Sequence, residues 1–183
     1  HYTYDADNRL TAILDEQARE FRRFLYDKKG RLIRQMEGGS QYGTRYDYDL
    51  AGRLIQKWTP VREDGEGALY NVTYYRYDAV GNCILERRSC DEVREGGTPV
   101  HYLDIRRRYD RQNRLVHVED GLGAEAEYTY DCLNNRLTER YRVNEYSYRI
   151  ICYKYDAAGR LSERMESVEA QNVGQTASRY SRR

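Results

Sequence analysis

The stretch Tyr48-Asp49-Leu50-Ala51-Gly52-Arg53-Leu54 is one of seven near-copies of a single motif, and this self-similarity limits the fold more than any other feature of the 183 residues. The copies start at Tyr4, Tyr26, Tyr48, Tyr77, Tyr109, Tyr130 and Tyr155, with spacings of 22, 22, 29, 32, 21 and 25 residues. Each opens on Tyr-Asp, the acids being Asp5, Asp27, Asp49, Asp78, Asp110, Asp131 and Asp156. Three residues beyond the Asp stand Asn8, Gly30, Gly52, Gly81, Asn113, Asn134 and Gly159. All seven are Gly or Asn, which together fill roughly one position in eight of the chain and are the residues that tolerate positive φ.

A type I turn favours Asp first, because its carboxylate accepts a backbone N–H two residues on, and Gly fourth. A Gly or Asn in the left-handed region at that fourth position makes the G1 bulge that lets a type I turn close a β-hairpin. Tyr-Asp is therefore expected to end one strand and Arg-Leu to begin the next. In the copies at Tyr77 and Tyr130, Asn82 and Asn135 read as one extra residue and a slightly longer loop.

Strands are legible on both sides of the turn. Tyr2/Tyr4, Phe24/Tyr26, Tyr46/Tyr48, Tyr75/Tyr77, Tyr128/Tyr130 and Tyr153/Tyr155 stand two apart, which places each pair on one strand face, whereas Tyr109 has Arg107 in the partner's place. After the turn, segments such as "RLIRQM", "RLIQKW" and "RLVHV" alternate as half-buried strands do. Side-by-side stacking of the copies predicts a ladder of tyrosine rings as the core. Copy-to-copy distance varies only at the opposite hairpin ends: 37–43 reads as a short return, 59–69 and 90–100 as longer, charged, solvated loops.

Composition tests this all-β expectation. With 39% hydrophobic and 33% charged residues the chain leans toward disorder, but its 20 tyrosines supply buriable faces and strand preference. No run of about 18 apolar residues predicts membrane insertion, and any export signal is expected to lie outside this segment. A net charge of +1 with interspersed signs does not call for nucleic acid, and the cluster Arg106, Arg107, Arg108, Arg111 and Arg114 is interleaved with acids.

No cofactor, metal or catalytic site is expected. His1, His101 and His117 lack a Cys or carboxylate at metal-ligand spacing, and His117 reads as an ordinary strand residue. Cys83, Cys90, Cys132 and Cys152 contain no C-x-x-C pair and read as unpaired thiols, with Cys83–Cys90 as the alternative disulfide. Asp5, Asp7 and Glu16 resemble a calcium loop, but Leu10 stands where such a loop needs Gly. Asn71 begins a glycosylation sequon that matters only in a eukaryotic secretory pathway.

The Y-D-x-x-G-R-L consensus, repeated from Tyr2 to about Met165, resembles the YD repeat of the Rhs and wall-associated bacterial proteins, also found in insecticidal toxin complexes and in teneurins. The resemblance implies antiparallel hairpins spiralling into a hollow shell, which in the bacterial toxins encloses a toxic domain and in teneurins forms part of a surface adhesion molecule. On that basis residues 1–183 are one segment of a longer array, secreted or on a bacterial cell surface, in which 166–183 either begins a further strand or is disordered. The expected partners are adjacent YD repeats, an enclosed toxin domain or a surface glycan, with self-association through open sheet edges. A scaffold is the first reading, an interaction module binding glycan or protein through tyrosines and long loops the second, and an enzyme is not expected. The self-cleaving element of Rhs toxins is rich in Asp-Pro-x-Gly; this chain has no Asp-Pro, only Pro60 and Pro99, so autoproteolysis is not carried over.

Overall fold

The computed structural model describes residues 1–170 and 178–181. Among these residues every regular element is a β-strand, and every pair of bonded strands is antiparallel. The chain forms two compact units, residues 1–103 and 104–183. The first holds β1 (Tyr2–Tyr4), β2 (Leu10–Leu14), β3 (Glu20–Tyr26), β4 (Leu32–Glu37), β5 (Gly43–Tyr48), β6 (Leu54–Asp64), β7 (Gly67–Tyr77), β8 (Cys83–Ser89) and β9 (Val93–Arg94). Its strands β1 to β8 pair in sequence order as a meander, and β9 pairs with β7. β10 (Tyr102–Tyr109) lies almost wholly in the second unit and is followed there by β11 (Leu115–Asp120), β12 (Glu125–Tyr130), β13 (Arg136–Asn144), β14 (Ser147–Tyr155), β15 (Leu161–Ala170) and β16 (Ser178–Ser181), again in sequence order. The terminal "TASRYSRR" thus contributes β16 on the edge of β15, whereas 171–177 and 182–183 lie outside the described residues.

Each of the seven motifs closes a hairpin, and each shows the same one-residue slip in pairing at its tyrosine. Asp47 faces Gln56 but Tyr48 faces Leu54; Thr129 faces Thr138 but Tyr130 faces Arg136. That slip is the bulge that a type I turn with a left-handed fourth residue requires.

The tyrosine ladder does not form the core of the first unit. Its most buried cluster is Trp58, Ala68, Tyr70 and Val72, with Tyr42, Tyr74 and Val93 packed against it. Trp58 faces Arg45 on one side and Val72 on the other, whereas Tyr46 faces Lys57. Alternation therefore puts Tyr46 and Tyr48 on the face opposite Trp58. Trp58 and Tyr70 meet edge to face at 6.0 Å, an arrangement aromatic quadrupoles favour. In the second unit Ala126, Tyr148 and Ile151 are buried, and Tyr128 meets Tyr141 edge to face at 6.3 Å on the motif-tyrosine face.

Residues 59–69 are not a loop. They continue β6 and begin β7, joined by Gly65 and Glu66, with Asp64 facing Gly67. The charges there, which suggest a solvated connection, sit on a strand pair that overhangs its neighbours: Arg94 pairs with Asp64 at 3.0 Å and Arg62 with Glu92 at 2.8 Å. Segment 90–100 is irregular as expected, yet it is not a free surface. Its two-residue β9 takes the ladder positions that β8 leaves open on β7 (Leu69 to Arg94, Tyr70 to Val93), and Glu95 is held by Arg34 at 2.9 Å and Arg45 at 3.2 Å. Backbone groups of an overhanging strand need partners, and a short segment of the same chain supplies them.

Candidate functional site

In four of the seven copies the repeated residues assemble into a clamp that runs from one turn to the next. Asp5 Oδ1 accepts the backbone N–H of Asp7 at 3.0 Å and of Arg9 at 2.9 Å, while Oδ2 takes Arg9 Nε at 2.7 Å. The Arg9 guanidinium then lies 5.4 Å from the centre of the Tyr26 ring, one motif further on. The Tyr26 hydroxyl returns a hydrogen bond of 2.8 Å to the carbonyl of Leu10, the residue after Arg9. The same circuit joins Asp27 and Arg31 to Tyr48, which bonds the Leu32 carbonyl. It joins Asp49 and Arg53 to Tyr77 through the Leu54 carbonyl, and Asp110 and Arg114 to Tyr130 through the Leu115 carbonyl. Arg31, Arg53 and Arg114 reach further, each donating to the backbone carbonyl of the next motif's Asp (Asp49, Asp78 and Asp131) at 3.1, 3.2 and 2.7 Å. Planar guanidinium suits this because one group donates through Nε to a carboxylate, stacks on a ring and donates through Nη1 to a carbonyl together.

The turn residues take the conformation that this geometry needs. Asn8, Asn113 and Asn134 have φ of 61°, 61° and 69°, and Gly30, Gly52, Gly81 and Gly159 of 78°, 83°, 101° and 75°. Asp156 closes its turn on Arg160 with Nε to Oδ2 at 2.8 Å, and the Tyr155 hydroxyl bonds the Arg136 carbonyl at 2.9 Å. Tyr4 is exposed and Tyr109 half-buried. The carboxyls of Asp5, Asp27, Asp49, Asp110 and Asp156 titrate below the usual carboxylate range, chiefly because each accepts the backbone N–H of the arginine four residues on.

Asn82 and Asn135 are not insertions. Tyr77 faces Cys83 and Tyr130 faces Arg136, the same six-residue step as Tyr48 to Leu54. Each Asn occupies the arginine's place and imitates its first contact, Asn82 Nδ2 reaching Asp78 Oδ2 at 2.9 Å and Asn135 Nδ2 reaching Asp131 Oδ2 at 2.9 Å. An amide is too short to stack on the next ring, so these copies keep the turn and lose the long reach. Asp78 and Asp131 nevertheless titrate low: at Asp131 the Asn135 amide is the chief cause, whereas at Asp78 burial pushes the carboxyl up and the bonds from Asn82, Val80 and Gly81 together overcome it.

Two further turns of the same geometry lie at the opposite hairpin ends. Asp15 accepts the N–H of Gln17 and Arg19 and pairs with Arg19 Nε at 2.9 Å, with Ala18 at φ 59° in the Gly/Asn place. Asp120 accepts the N–H of Leu122 and Ala124, with Gly123 at φ 90°. Leu14 and Glu119 precede these Asp residues instead of tyrosine, which hides both from a search keyed on Tyr-Asp; Asp-x-x-Gly at Asp120 and Asp-x-x-x-Arg at Asp15 are the signals that remain.

Other polar clusters are supplied by the sheet rather than by sequence spacing. His117 is buried and its Nε2 lies 2.9 Å from Glu125 Oε1 across the β11–β12 hairpin, and His101 Nδ1 lies 3.0 Å from Asp91 Oδ1. Buried Glu139 is bonded by Arg136 Nη1 at 2.6 Å and by the Tyr141 hydroxyl, and burial followed by that carboxylate pushes the Tyr141 phenol well up. The four cysteines are thiols rather than disulfides, with Cys90 and Cys132 exposed. A groove of about 540 Å³ in the first unit, between the 37–43 return and β6, is lined by Gln35, Glu37, Tyr42, Thr59, Arg62 and Glu63 among others.

No protein-family description and no curated protein sequence matches the chain. Solved structures do. A chain of the Photorhabdus luminescens Tc holotoxin pore matches over 97% of this chain with a TM-score of 0.65 at 18% identity. A chain of the TcdB2-TccC3-Cdc42 crystal structure matches over 86% at 14% identity with a TM-score of 0.44. This chain spans 9% of the length of each of those chains. The likeness to the holotoxin pore is one of fold.

Proposed function

We propose that the chain is a structural repeat module of a large exported bacterial protein of the Rhs or YD-repeat type, a stretch of wall in a shell or scaffold that encloses or displays a toxin domain. The observation that carries this reading is the clamp: Arg9, Arg31, Arg53 and Arg114 are each spent on the tyrosine of the next motif, so these repeated side chains bind their own neighbours. The Tc holotoxin fold likeness supports the same reading. Its natural partners are then the adjacent repeats and the enclosed domain, its location is outside the cell or on its surface, and it performs no catalysis. The test is a matched pair of proteins, these residues alone and the same residues extended by further repeats at either end. Repeat arrays gain stability from neighbour interfaces, so the longer protein is expected to melt higher. An equal or lower melting temperature, or hydrolysis of a peptide or glycan abolished by a single substitution in this chain, defeats the scaffold reading.

A second reading is favoured by the groove beside β6. Half-buried Tyr42 lines it, and Gln35, Thr59, Glu37, Glu63 and Arg62 offer donors and acceptors, a mixture suited to a sugar. Glycan-array binding lost in Tyr42→Ala would support it.

A further inference from the structure

We propose that His117, Glu125 and Glu127 form a binding site for a divalent transition metal, with zinc the best match to the ligand chemistry. This proposal does not depend on the scaffold reading. His117 on β11 directly faces Glu127 on β12, and Glu125 stands two residues before Glu127, so period two puts all three on one face of the hairpin. One ligand atom from each lies within 4.8 Å of the other two. Tetrahedral ligands at about 2.1 Å from zinc stand roughly 3.4 Å apart, so closing the site asks for side-chain movements of about an ångström.

The surroundings supply what metal ligands usually have. The His117 side chain is only 8% exposed, which holds the ring against the sheet. Each carboxylate keeps one oxygen on an arginine: Glu125 Oε2 on Arg142 Nη2 at 2.8 Å and Glu127 Oε2 on Arg140 Nη1 at 2.9 Å. Outer-shell partners of this kind fix monodentate carboxylates. They also decide which metal fits. The two arginines balance the two carboxylates, and Glu119, which faces Glu125, has Arg106 at 3.7 Å, so little net negative charge remains to attract calcium or magnesium, which in addition demand six or more oxygen ligands. A buried imidazole favours a borderline-soft ion such as zinc. Three protein ligands leave the remaining position to water.

Binding needs a lone pair on His117 Nε2, so its 2.9 Å contact with Glu125 Oε1 must give way to the metal. Isothermal titration of zinc chloride into the chelator-treated 183-residue protein at about pH 7.5 is expected to show one site. Calcium and magnesium chloride should give no comparable binding. His117→Gln and, separately, the less buried Glu127→Gln should each weaken zinc at least tenfold, with an unchanged circular dichroism spectrum identifying the variants that remain folded. Should His117→Gln unfold, Glu127→Gln decides. Because four thiols are also present, the zinc X-ray absorption spectrum must show nitrogen and oxygen neighbours without sulfur. No zinc binding, undiminished affinity in the folded variant, or sulfur in the coordination shell overturns the proposal.

Discussion

Arg53 lies with its guanidinium carbon 5.1 Å from the centre of the Tyr77 ring, although Arg53 closes one turn and Tyr77 leads into the next. The contact joins residues 24 apart through the strands β6 and β7. The Tyr77 hydroxyl, bonded to the Leu54 carbonyl at 2.7 Å, fixes the ring under the guanidinium. A double-mutant cycle of Arg53→Ala and Tyr77→Leu is expected to show a coupling of about 0.5–1 kcal/mol in urea unfolding. Additive effects would mean the stack contributes nothing. Arg53→Lys should lose part of this coupling, because one ammonium cannot hold Asp49, stack on Tyr77 and reach the Asp78 carbonyl at once.

Gly52 has φ 83°, a conformation that a β-branched side chain rarely adopts. Gly52→Val should cost about 1–2 kcal/mol or more and Gly52→Asn much less. Thermal melts of the two variants compare them, and equal losses would detach the Gly/Asn preference from backbone conformation.

Ala18 carries the same strain without the same residue. Its φ of 59° is left-handed, and an Ala there is strained by about 1–2 kcal/mol relative to a residue at home in that region. Ala18→Gly should therefore stabilise the protein by about 0.5–1 kcal/mol, net of the entropy that Gly adds to the unfolded chain. A drop in melting temperature for Ala18→Gly would contradict this backbone argument.

The turn carboxylates make stability sensitive to acid. Asp5, Asp27, Asp49, Asp110 and Asp156 all titrate below an ordinary Asp, chiefly because of the backbone N–H of Arg9, Arg31, Arg53, Arg114 and Arg160 respectively. A depressed native value means the unfolded chain takes up protons first, so their contribution is complete above the unfolded value near pH 4 and is lost as the pH falls below it. The urea midpoint should fall steeply below about pH 4, and Asp49→Asn should make that fall shallower. A midpoint independent of pH in this range would show that the carboxylate bonds carry no stability.

Val72 is fully buried beside Trp58 and Tyr70. Val72→Ala should cost about 1–3 kcal/mol, whereas Leu50→Ala, at a turn tip where Leu50 is 97% exposed, should lie within about 0.5 kcal/mol of the parent. Urea midpoints of the two variants check the contrast.

The sequence by itself determined the hairpins, because each rule at work there is local. Asp at the first turn position, Gly or Asn at the fourth and period-two tyrosines before it are constraints within eight residues, and they set all-β pairing. What only the tertiary structure decided depends on residues brought together from different motifs. Arg9 meets Tyr26 after 17 residues and Arg53 meets Tyr77 after 24, so the arginine column reads in the sequence merely as the start of a strand. Asn82 looks like an insertion until register shows it standing where an arginine stands elsewhere. Segment 59–69 looks like a solvated loop because its charges are visible, and the segment bearing Glu92 and Arg94, which answers those charges and covers Tyr70, is not adjacent in sequence. His117 likewise acquires Glu125 and Glu127 only when β11 and β12 pair. Turn chemistry is written in neighbouring residues; register and overhang arise from the pairing of whole strands, and they decide which side chains meet.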